Sequence, residues 1–193
     1  MKIAIIDYGA GNTKSVKYAL ENIGYSSVLT NDAKTIINAD KVIFPGVGAA
    51  SSAMAELKKQ GLDKLIVNLK QPVLGICLGM QLMCTHTTEG DVEGLNIFPV
   101  NVLRFNASVK VPKVGWNNIF DLKSNLFTKI KEKDYSYFVH SFYAPLSEFT
   151  IAKANYGIEY SAALKKDNFY GCQFHPEKSS KMGEQILRNF INL

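Results

Sequence analysis

The sequence has few of the residues that mark secreted, metal-binding or membrane proteins. Its 193 residues contain three cysteines, three histidines and one tryptophan. Cys77, Cys84 and Cys172 are odd in number, and their spacing fits neither a disulfide framework nor a zinc site. The first apolar run reaches Asp7 after four positions, too soon for a signal peptide or a membrane span. We therefore expect a cytoplasmic protein without a disulfide, a metal or a cofactor.

Charge is also weakly patterned. The net charge of +5 comes from scattered lysines, without a basic run or an aromatic-interleaved patch, so we expect no nucleic-acid partner. Hydrophobic residues make up 47% of the chain and charged residues 20%, as in ordinary globular proteins. Without a repeat, a low-complexity segment or a linker, the sequence predicts one domain over residues 1–193.

Short apolar runs alternate with helical patterns in the first half of the chain. Glycine turns follow the runs, and Asn12 is a good N-cap for the first helix, which Gly24 stops. The alternation predicts an α/β fold with a mostly parallel central sheet and flanking helices. The predicted strands are residues 3–7, 26–29, 41–44 and 73–76, and a helix is predicted over 49–60.

In the second half of the chain the apolar residues have a different spacing. Several β-type runs follow each other with short turns between them, which predicts an antiparallel extension of the sheet. A polar loop is expected over 87–94 and a last helix over 181–191. The predicted strands are residues 97–105, 109–116, 135–140, 150–155, 161–164 and 169–175.

Cys77 lies between two glycines where a predicted strand meets a predicted helix. The pattern Gly75-Ile76-Cys77-Leu78-Gly79 has the form of a nucleophile elbow with cysteine in place of serine. Such a turn needs strained dihedrals at the nucleophile and close backbone approach on both sides, which glycine permits. It also places the sulfur over a helix N-terminus, which favours the thiolate. The alternative is a buried turn with an inert cysteine.

A histidine and an acid occur near the end of the chain, in Gln173-Phe174-His175-Pro176-Glu177. In an extended strand His175 and Glu177 would point the same way, so that the carboxylate could orient one imidazole nitrogen. A base held by an acid is what a cysteine nucleophile needs. The alternative is an exposed histidine beside an unrelated glutamate.

Three further polar residues are weaker candidates. His140 ends an apolar strand and is either a core residue or a substrate-lining one. His86 is predicted on the helix that follows Cys77, without the ligands of a metal site. Cys84 is predicted to be packed core rather than a reactive group.

Taken together, the motifs resemble the class I (triad-type) glutamine amidotransferases, and within that class the glutaminase subunits of imidazole glycerol phosphate synthases. The resemblance runs from one end of the chain to the other. The motifs that carry it are DYGAGN from Asp7, PGVG from Pro45, GICLGMQ around Cys77, KVPxxGWN from Lys110, YFVHS from Tyr137 and QFHPEKS from Gln173.

The resemblance implies roles for individual residues. Cys77 would be the nucleophile, His175 its acid and base, and Glu177 the acid that orients the histidine. The oxyanion hole would combine the N–H of Leu78 with a donor from the PGVG turn, at Val47 after a backbone flip or at Gly48. The glutamine substrate would be held by Gln81, Glu89, His140 and Ser141.

The resemblance also implies a partner, because ammonia released into neutral water would become non-nucleophilic ammonium. The partner would be a (β/α)₈-barrel cyclase that forms a heterodimer with this chain and adds the ammonia to a ribulosyl nucleotide. Docking candidates are Asn12, Trp116, Asn117 and Lys178. An exposed Trp116 would suit an interface anchor, and a core tryptophan is the alternative.

Three other functions remain open on the sequence. A paralogous subunit could feed ammonia to a different synthase, such as a sugar-modifying one. A stand-alone cysteine hydrolase or a glutaminase of the pyridoxal-phosphate-synthase type could share the fold, although GWN and YFVHS argue against it. A non-catalytic binding module would have no physical reason to keep Cys77, His175 and Glu177 together.

Overall fold

The computed structural model describes residues 1–193 and contains thirteen strands, six α-helices and two 3₁₀ helices. The helices are α1 (Thr13–Asn22), α2 (Ala33–Ile37), α3 (Ala50–Lys59), α4 (Leu62–Ile66), α5 (Leu78–Leu82) and α6 (Ser180–Ile191), with 3₁₀ turns at Asn125–Phe127 and Pro176–Lys178. The strands are β1 (Ile3–Ile6), β2 (Val28–Thr30), β3 (Lys41–Gly46), β4 (Val73–Cys77), β5 (Cys84–Thr87), β6 (Val92–Glu93), β7 (Phe98–Arg104), β8 (Lys113–Asn118), β9 (Tyr135–His140), β10 (Phe142–Tyr143), β11 (Thr150–Asn155), β12 (Glu159–Lys166) and β13 (Phe169–Cys172).

Seven strands form the central sheet, in the order β11-β12-β13-β4-β3-β1-β2. The five strands from β13 to β2 are parallel, and β12 and β11 continue the sheet in antiparallel pairing. This confirms the predicted fold class. Two smaller sheets, β10-β7-β5-β6 and β8-β9, lie outside it. No helix is long and apolar enough to span a membrane.

Apolar side chains cover both faces of the sheet, since parallel strands are buried on each side. On one face α1 and α6 contribute side chains such as Val16, Leu20 and Leu187, which belong to the same buried cluster as Ile5. On the other face the helices α2 to α5 pack through the second cluster of buried side chains. The carboxyl ends of β3 and β4 are left uncovered by these helices, which is where sites form in such sheets.

The sequence missed or misplaced several short elements. The helices α2 and α4 have five residues each, too few to show a helical period. The helix after Cys77 ends at Leu82, so the placement of His86 on that helix was wrong: Cys84 and His86 lie in β5. The loop expected over 87–94 contains the short strand β6. Asn12 precedes α1 as predicted, but its side chain makes no capping hydrogen bond.

The turn from β4 into α5 brings backbone against backbone. A Cβ at Gly79 would collide with the carbonyl oxygen of Phe44 in β3, and one at Gly75 would lie 2.9 Å from the amide nitrogen of Met80. A Cβ at Gly46 would lie 2.5 Å from the amide nitrogen of Gly79. Cys77 itself has φ 54° and ψ −111°, a conformation that L-residues rarely adopt. The predicted steric reason for the glycines is confirmed.

Substituting Gly79 by alanine tests this close contact. The methyl group would meet the Phe44 carbonyl, so α5 would have to move, and we expect Gly79→Ala to lower the free energy of unfolding by about 3 kcal/mol. Chemical denaturation followed by far-UV circular dichroism would measure it. The control is Gly61→Ala, where φ is 69° but no atom lies within 4 Å of the new Cβ. We expect the free energy of unfolding to fall by about 1 kcal/mol in that variant. An equal decrease in both variants would contradict the interpretation.

Candidate active site

A cavity of about 270 Å³ opens at the carboxyl ends of β3 and β4. This is a volume suited to one amino acid, at the lower end of ligand pockets. It brings together ten of the fourteen site residues predicted from the sequence, although they are spread from residue 47 to residue 178. Those ten are Val47, Gly48, Cys77, Leu78, Gln81, Glu89, His140, Ser141, His175 and Lys178. The other lining residues are Pro112, Val139 and Phe142.

Cys77 presents its sulfur to this cavity from the tip of the elbow. Sγ lies 3.6 Å from the carbonyl oxygen of Val139 and 3.8 Å from the amide nitrogen Nε2 of Gln173. The residue is 7% exposed, so a small ligand in the cavity can reach the sulfur. In contrast, Cys84 and Cys172 are fully buried. Burial raises the pKa of the Cys84 thiol to about 12 and raises that of the Cys172 thiol further, which makes both unreactive.

His175 and Glu177 are in contact, as predicted, but not for the predicted reason. Nδ1 of His175 donates to Oε1 of Glu177 at 2.8 Å, and both side chains are almost completely buried. However, β13 ends at Cys172, and Glu177 lies in a 3₁₀ turn, so strand alternation does not set the geometry. The tight turn after Pro176 instead brings the carboxylate back toward the ring.

Backbone contacts fix the position of His175. Its N–H donates to the carbonyl oxygen of Tyr137 in β9 at 2.9 Å. The buried hydroxyl of Ser179 donates to the carbonyl oxygen of His175 at 2.6 Å and accepts from the N–H of Tyr137 at 3.0 Å. The histidine is therefore held on both sides of its Cα by one strand and one serine.

The pKa of His175 is raised despite burial. Burial alone would lower it, but the interactions with Cys77 and with Glu177 outweigh burial and raise the pKa to about 10. The imidazole is therefore protonated at neutral pH when its two partners carry negative charge. A positively charged imidazole beside the cysteine favours the thiolate.

Sequence reasoning missed Gln173, which is fully buried between Gln81 and the sulfur. Nε2 of Gln81 donates to Oε1 of Gln173 at 2.9 Å and to the carbonyl oxygen of Phe142 at 3.0 Å. No strand alternation places it there, because β13 ends at Cys172 and residues 173 and 174 form a bend. Gln81, expected to bind substrate, lines the cavity but uses its amide hydrogens within the protein.

The PGVG turn lies on the opposite side of the cavity from His175. Val47 and Gly48 are exposed, and Gly48 has φ 92° with no atom within 4 Å of the place that a Cβ would take. A Cβ at Gly11 would lie 3.2 Å from the Pro45 carbonyl oxygen, so the DYGAGN segment packs against the base of the turn. Val47, Gly48 and Leu78 thus line the same cavity as Cys77.

Glu89 reaches the cavity from the loop between β5 and β6. Its Oε2 accepts from the N–H of Ala50 at 3.3 Å, at the start of α3 directly after the PGVG turn. Partial burial raises the pKa of this carboxyl, and the bond from Ala50 opposes that shift. Glu89 therefore links the loop to the turn as well as lining the cavity.

His140 is a buried, neutral residue on the cavity wall. Its Nδ1–H donates to the carbonyl oxygen of Phe142 at 2.8 Å, and Nε2 lies 3.3 Å from the hydroxyl of Tyr160. Burial lowers its pKa to about 4. Both nitrogens are thus engaged within the protein, so His140 shapes the wall, while the next residue, Ser141, is half-buried there.

The four docking candidates have different surroundings. Trp116 is 49% exposed and its ring lies edge-on to Tyr137, with centroids 5.9 Å apart, so the alternative of a core tryptophan was wrong. Lys178 is exposed at the cavity. Asn12 is half-buried before α1. Asn117 points away from Trp116, and its Nδ2 donates to the carbonyl oxygen of Asn155.

His86 does not contribute to the cavity. Its Nε2 lies 2.9 Å from Oδ1 of Asp91, in a hydrogen bond across the β5–β6 loop. No group of three or more histidine, cysteine or acidic side chains is arranged to hold a metal ion.

Comparison with known proteins places this geometry in a family. The model of the glutamine amidotransferase class-I family matches residues 4–193. The imidazole glycerol phosphate synthase subunit HisH of Bacteroides thetaiotaomicron is 56% identical over 196 residues, covering all of both chains. The HisH subunit of Pectobacterium atrosepticum is 45% identical, again over all of both chains.

Solved structures share the fold at lower identity. A putative GMP synthase subunit from Thermoplasma acidophilum superposes with a TM-score of 0.77 at 22% identity, covering 100% of this chain and 92% of that one. PurLQS from Thermotoga maritima superposes with a TM-score of 0.73 at 16% identity, covering 99% of this chain and 97% of that one. The chain therefore belongs to the class I glutamine amidotransferase family, in the group of imidazole glycerol phosphate synthase HisH subunits.

Proposed function

We propose that this chain is the glutaminase subunit of an imidazole glycerol phosphate synthase. It hydrolyses L-glutamine to glutamate and ammonia at Cys77, His175 and Glu177, and passes the ammonia to a (β/α)₈-barrel cyclase in histidine biosynthesis. The observation that carries the proposal is the cavity in which the sulfur of Cys77 and a carboxylate-held His175 converge. The names of relatives that match the full length of the chain support the choice of acceptor.

The first half of the reaction forms a thioester. The Cys77 thiolate attacks the carboxamide carbon of glutamine, and the carbonyl oxygen becomes an oxyanion that the N–H of Leu78 and an N–H of Val47 or Gly48 stabilise. The imidazolium of His175 then protonates the leaving nitrogen, and the C–N bond breaks to release ammonia. Glu177 keeps the imidazole ring in the orientation that this transfer needs.

The second half restores the enzyme. His175, now neutral, takes a proton from water, and the hydroxide attacks the glutamyl thioester. The C–S bond breaks, glutamate leaves, and the proton remains on His175 beside the regenerated thiolate. Gln81, Glu89, His140 and Ser141 hold or shape the site for the glutamine.

The ammonia must reach the cyclase before it is protonated by bulk water. We assign the docking face to the exposed Trp116 and to Lys178 at the cavity, with Asn12 and Asn117 as further candidates. A half-exposed aromatic ring packed on a neighbouring tyrosine has the character of an interface anchor. The enzyme would work as a heterodimer in the reducing cytoplasm, where its three unpaired cysteines are stable.

Replacing the nucleophile tests the assignment of Cys77. Cys77→Ala removes the only cavity-facing sulfur, so we expect glutaminase activity to fall at least about 10⁴-fold while the fold persists. Glutamate release in the presence of the cyclase and its ribulosyl nucleotide, with circular dichroism for the fold, would measure this. The matched control is Cys172→Ala, a buried cysteine outside the cavity, which should keep its activity per folded molecule. Substantial activity in Cys77→Ala would exclude this nucleophile.

The role of Glu177 gives a pH-dependent prediction. Its carboxylate raises the pKa of His175, so Glu177→Gln should lower that pKa, and the imidazolium should be lost at a lower pH than in the wild type. We expect kcat/KM to fall about 10²-fold or more and its alkaline limb to move to lower pH. An unmoved alkaline limb with unchanged activity would argue against the triad.

The acceptor is tested by mixing. Glutaminase activity of the purified chain should be low alone and rise strongly with the barrel cyclase from the same source and its ribulosyl nucleotide. Equal activity with and without them would be consistent with the triad but would indicate that a different synthase accepts the ammonia.

The docking face has its own variant. Trp116→Ala should weaken binding of the cyclase about 30-fold, as expected for an interface anchor of about 2 kcal/mol. Isothermal titration calorimetry would measure the affinity. The control is Ile37→Ala. Ile37 is an exposed apolar residue in α2, near the start of β4 and therefore at the end of the sheet opposite the cavity. Equal losses in both variants would reject Trp116 as an anchor.

A further inference from the structure

The sulfur of Cys77 has contacts that suit its two protonation states differently. The carbonyl oxygen of Val139, at 3.6 Å, can accept the S–H of the thiol. The same oxygen repels a thiolate, because both atoms are then only acceptors. Once the proton has moved from Sγ to Nε2 of His175, that N–H is one donor to the sulfur. A second donor would offset the repulsion from the Val139 carbonyl.

The helix that follows Cys77 gives the thiolate little electrostatic stabilisation. Helix α5 has only five residues, and few peptide dipoles are aligned in one and a half turns. The helix N-terminus therefore adds little to the stabilisation of the thiolate that the His175 imidazolium provides.

Gln173 lies at the sulfur, and its amide orientation is fixed by the surrounding bonds. The carbonyl oxygen of Phe142 can only accept, so the Gln81 atom that contacts it at 3.0 Å is the NH₂ group. The same NH₂ group faces Gln173 at 2.9 Å, so the Gln173 atom there is Oε1. The NH₂ group of Gln173 must then face Sγ, 3.8 Å away.

We propose that Gln173 donates a hydrogen bond to the Cys77 thiolate, and that Gln81 is a positioning residue that holds the Gln173 amide in this orientation. Gln173 keeps both of its amide protons throughout, and the proton released by the sulfur goes to His175. The distance suits a donor to a large, diffuse sulfur anion. This inference rests on the proposed function only in taking Cys77 as the nucleophile.

The two other cysteines make the proposal measurable without substrate. Cys84 and Cys172 are fully buried thiols, so iodoacetamide should react with Cys77 alone. The rate of alkylation against pH then reports the thiolate population of one residue in the full-length chain. Intact-mass spectrometry, with Cys77→Ala as the blank, identifies the site of modification.

Gln173→Met removes the donor at similar side-chain volume. We expect the midpoint of the alkylation profile to rise by about one pH unit, so that alkylation below the midpoint slows about tenfold. The matched control is Asn189→Leu. Asn189 is also a buried amide with two donated hydrogen bonds, to the carbonyl oxygens of Leu126 and Thr128, but it lies in α6 and lines no part of the cavity. Its variant should lose stability without moving the midpoint.

A second variant, Gln173→Glu, tests the same donor if Gln173→Met does not fold. Gln173→Glu keeps the shape and the bond from Gln81 but replaces the donor by an acceptor, so the midpoint should rise again. An unchanged midpoint in a folded Gln173 variant, or an equal shift in Asn189→Leu, would overturn the proposal. If wild-type Cys77 is not alkylated, and no glutamine is hydrolysed even with the cyclase and its ribulosyl nucleotide present, the proposed function fails instead.

Discussion

Direct backbone contact between α5 and the sheet is the constraint on which the site depends. Gly46, Gly75 and Gly79 allow the helix to approach β3 and β4 at distances that no side chain would leave open. The chain can enter α5 so abruptly only because Cys77 takes a positive φ. The close backbone contacts beside this strained residue fix where its sulfur meets the cavity. The histidine, the glutamines and the cavity wall are arranged around that fixed point.

Two independent elements bring the remaining groups to the sulfur. Strand β13 is a parallel neighbour of β4, so the segment after it leaves the sheet at the same edge as Cys77 and carries Gln173 and His175 there. Strand β9 is outside the central sheet, yet it binds His175 through Tyr137 and offers the Val139 carbonyl to Sγ. The site is thus positioned by hydrogen bonds between a rigid sheet and a separate ribbon whose outer side carries Trp116.

The sequence predicted what depends on local pattern and missed what depends on packing. The parallel strands and α1, α3 and α6 follow from apolar period and glycine turns, and the pairing of Cys77 with His175 follows from chemistry. The five-residue helices α2 and α4 have no period to detect. Gln173 was missed because an amide does not titrate and has no motif of its own, and because its orientation is set by a bend after β13 that the sequence pattern does not show. The contact of His175 with Glu177 was predicted from side-chain alternation along a strand. That strand, β13, ends at Cys172, and a 3₁₀ turn makes the contact instead.

The two sides of the cavity differ in how firmly they are held. On one side Cys77, Gln173 and His175 are buried in the core or bonded to it, and moving any of them would break several contacts at once. On the other side Val47 and Gly48 are exposed, and the turn is restrained mainly by the DYGAGN segment and by the bond from Ala50 to Glu89. Glycine at a positive φ changes conformation at small cost. The backbone amides of Val47 and Gly48 are therefore the part of the cavity wall that can change position most easily, and Cys77 is the part that cannot.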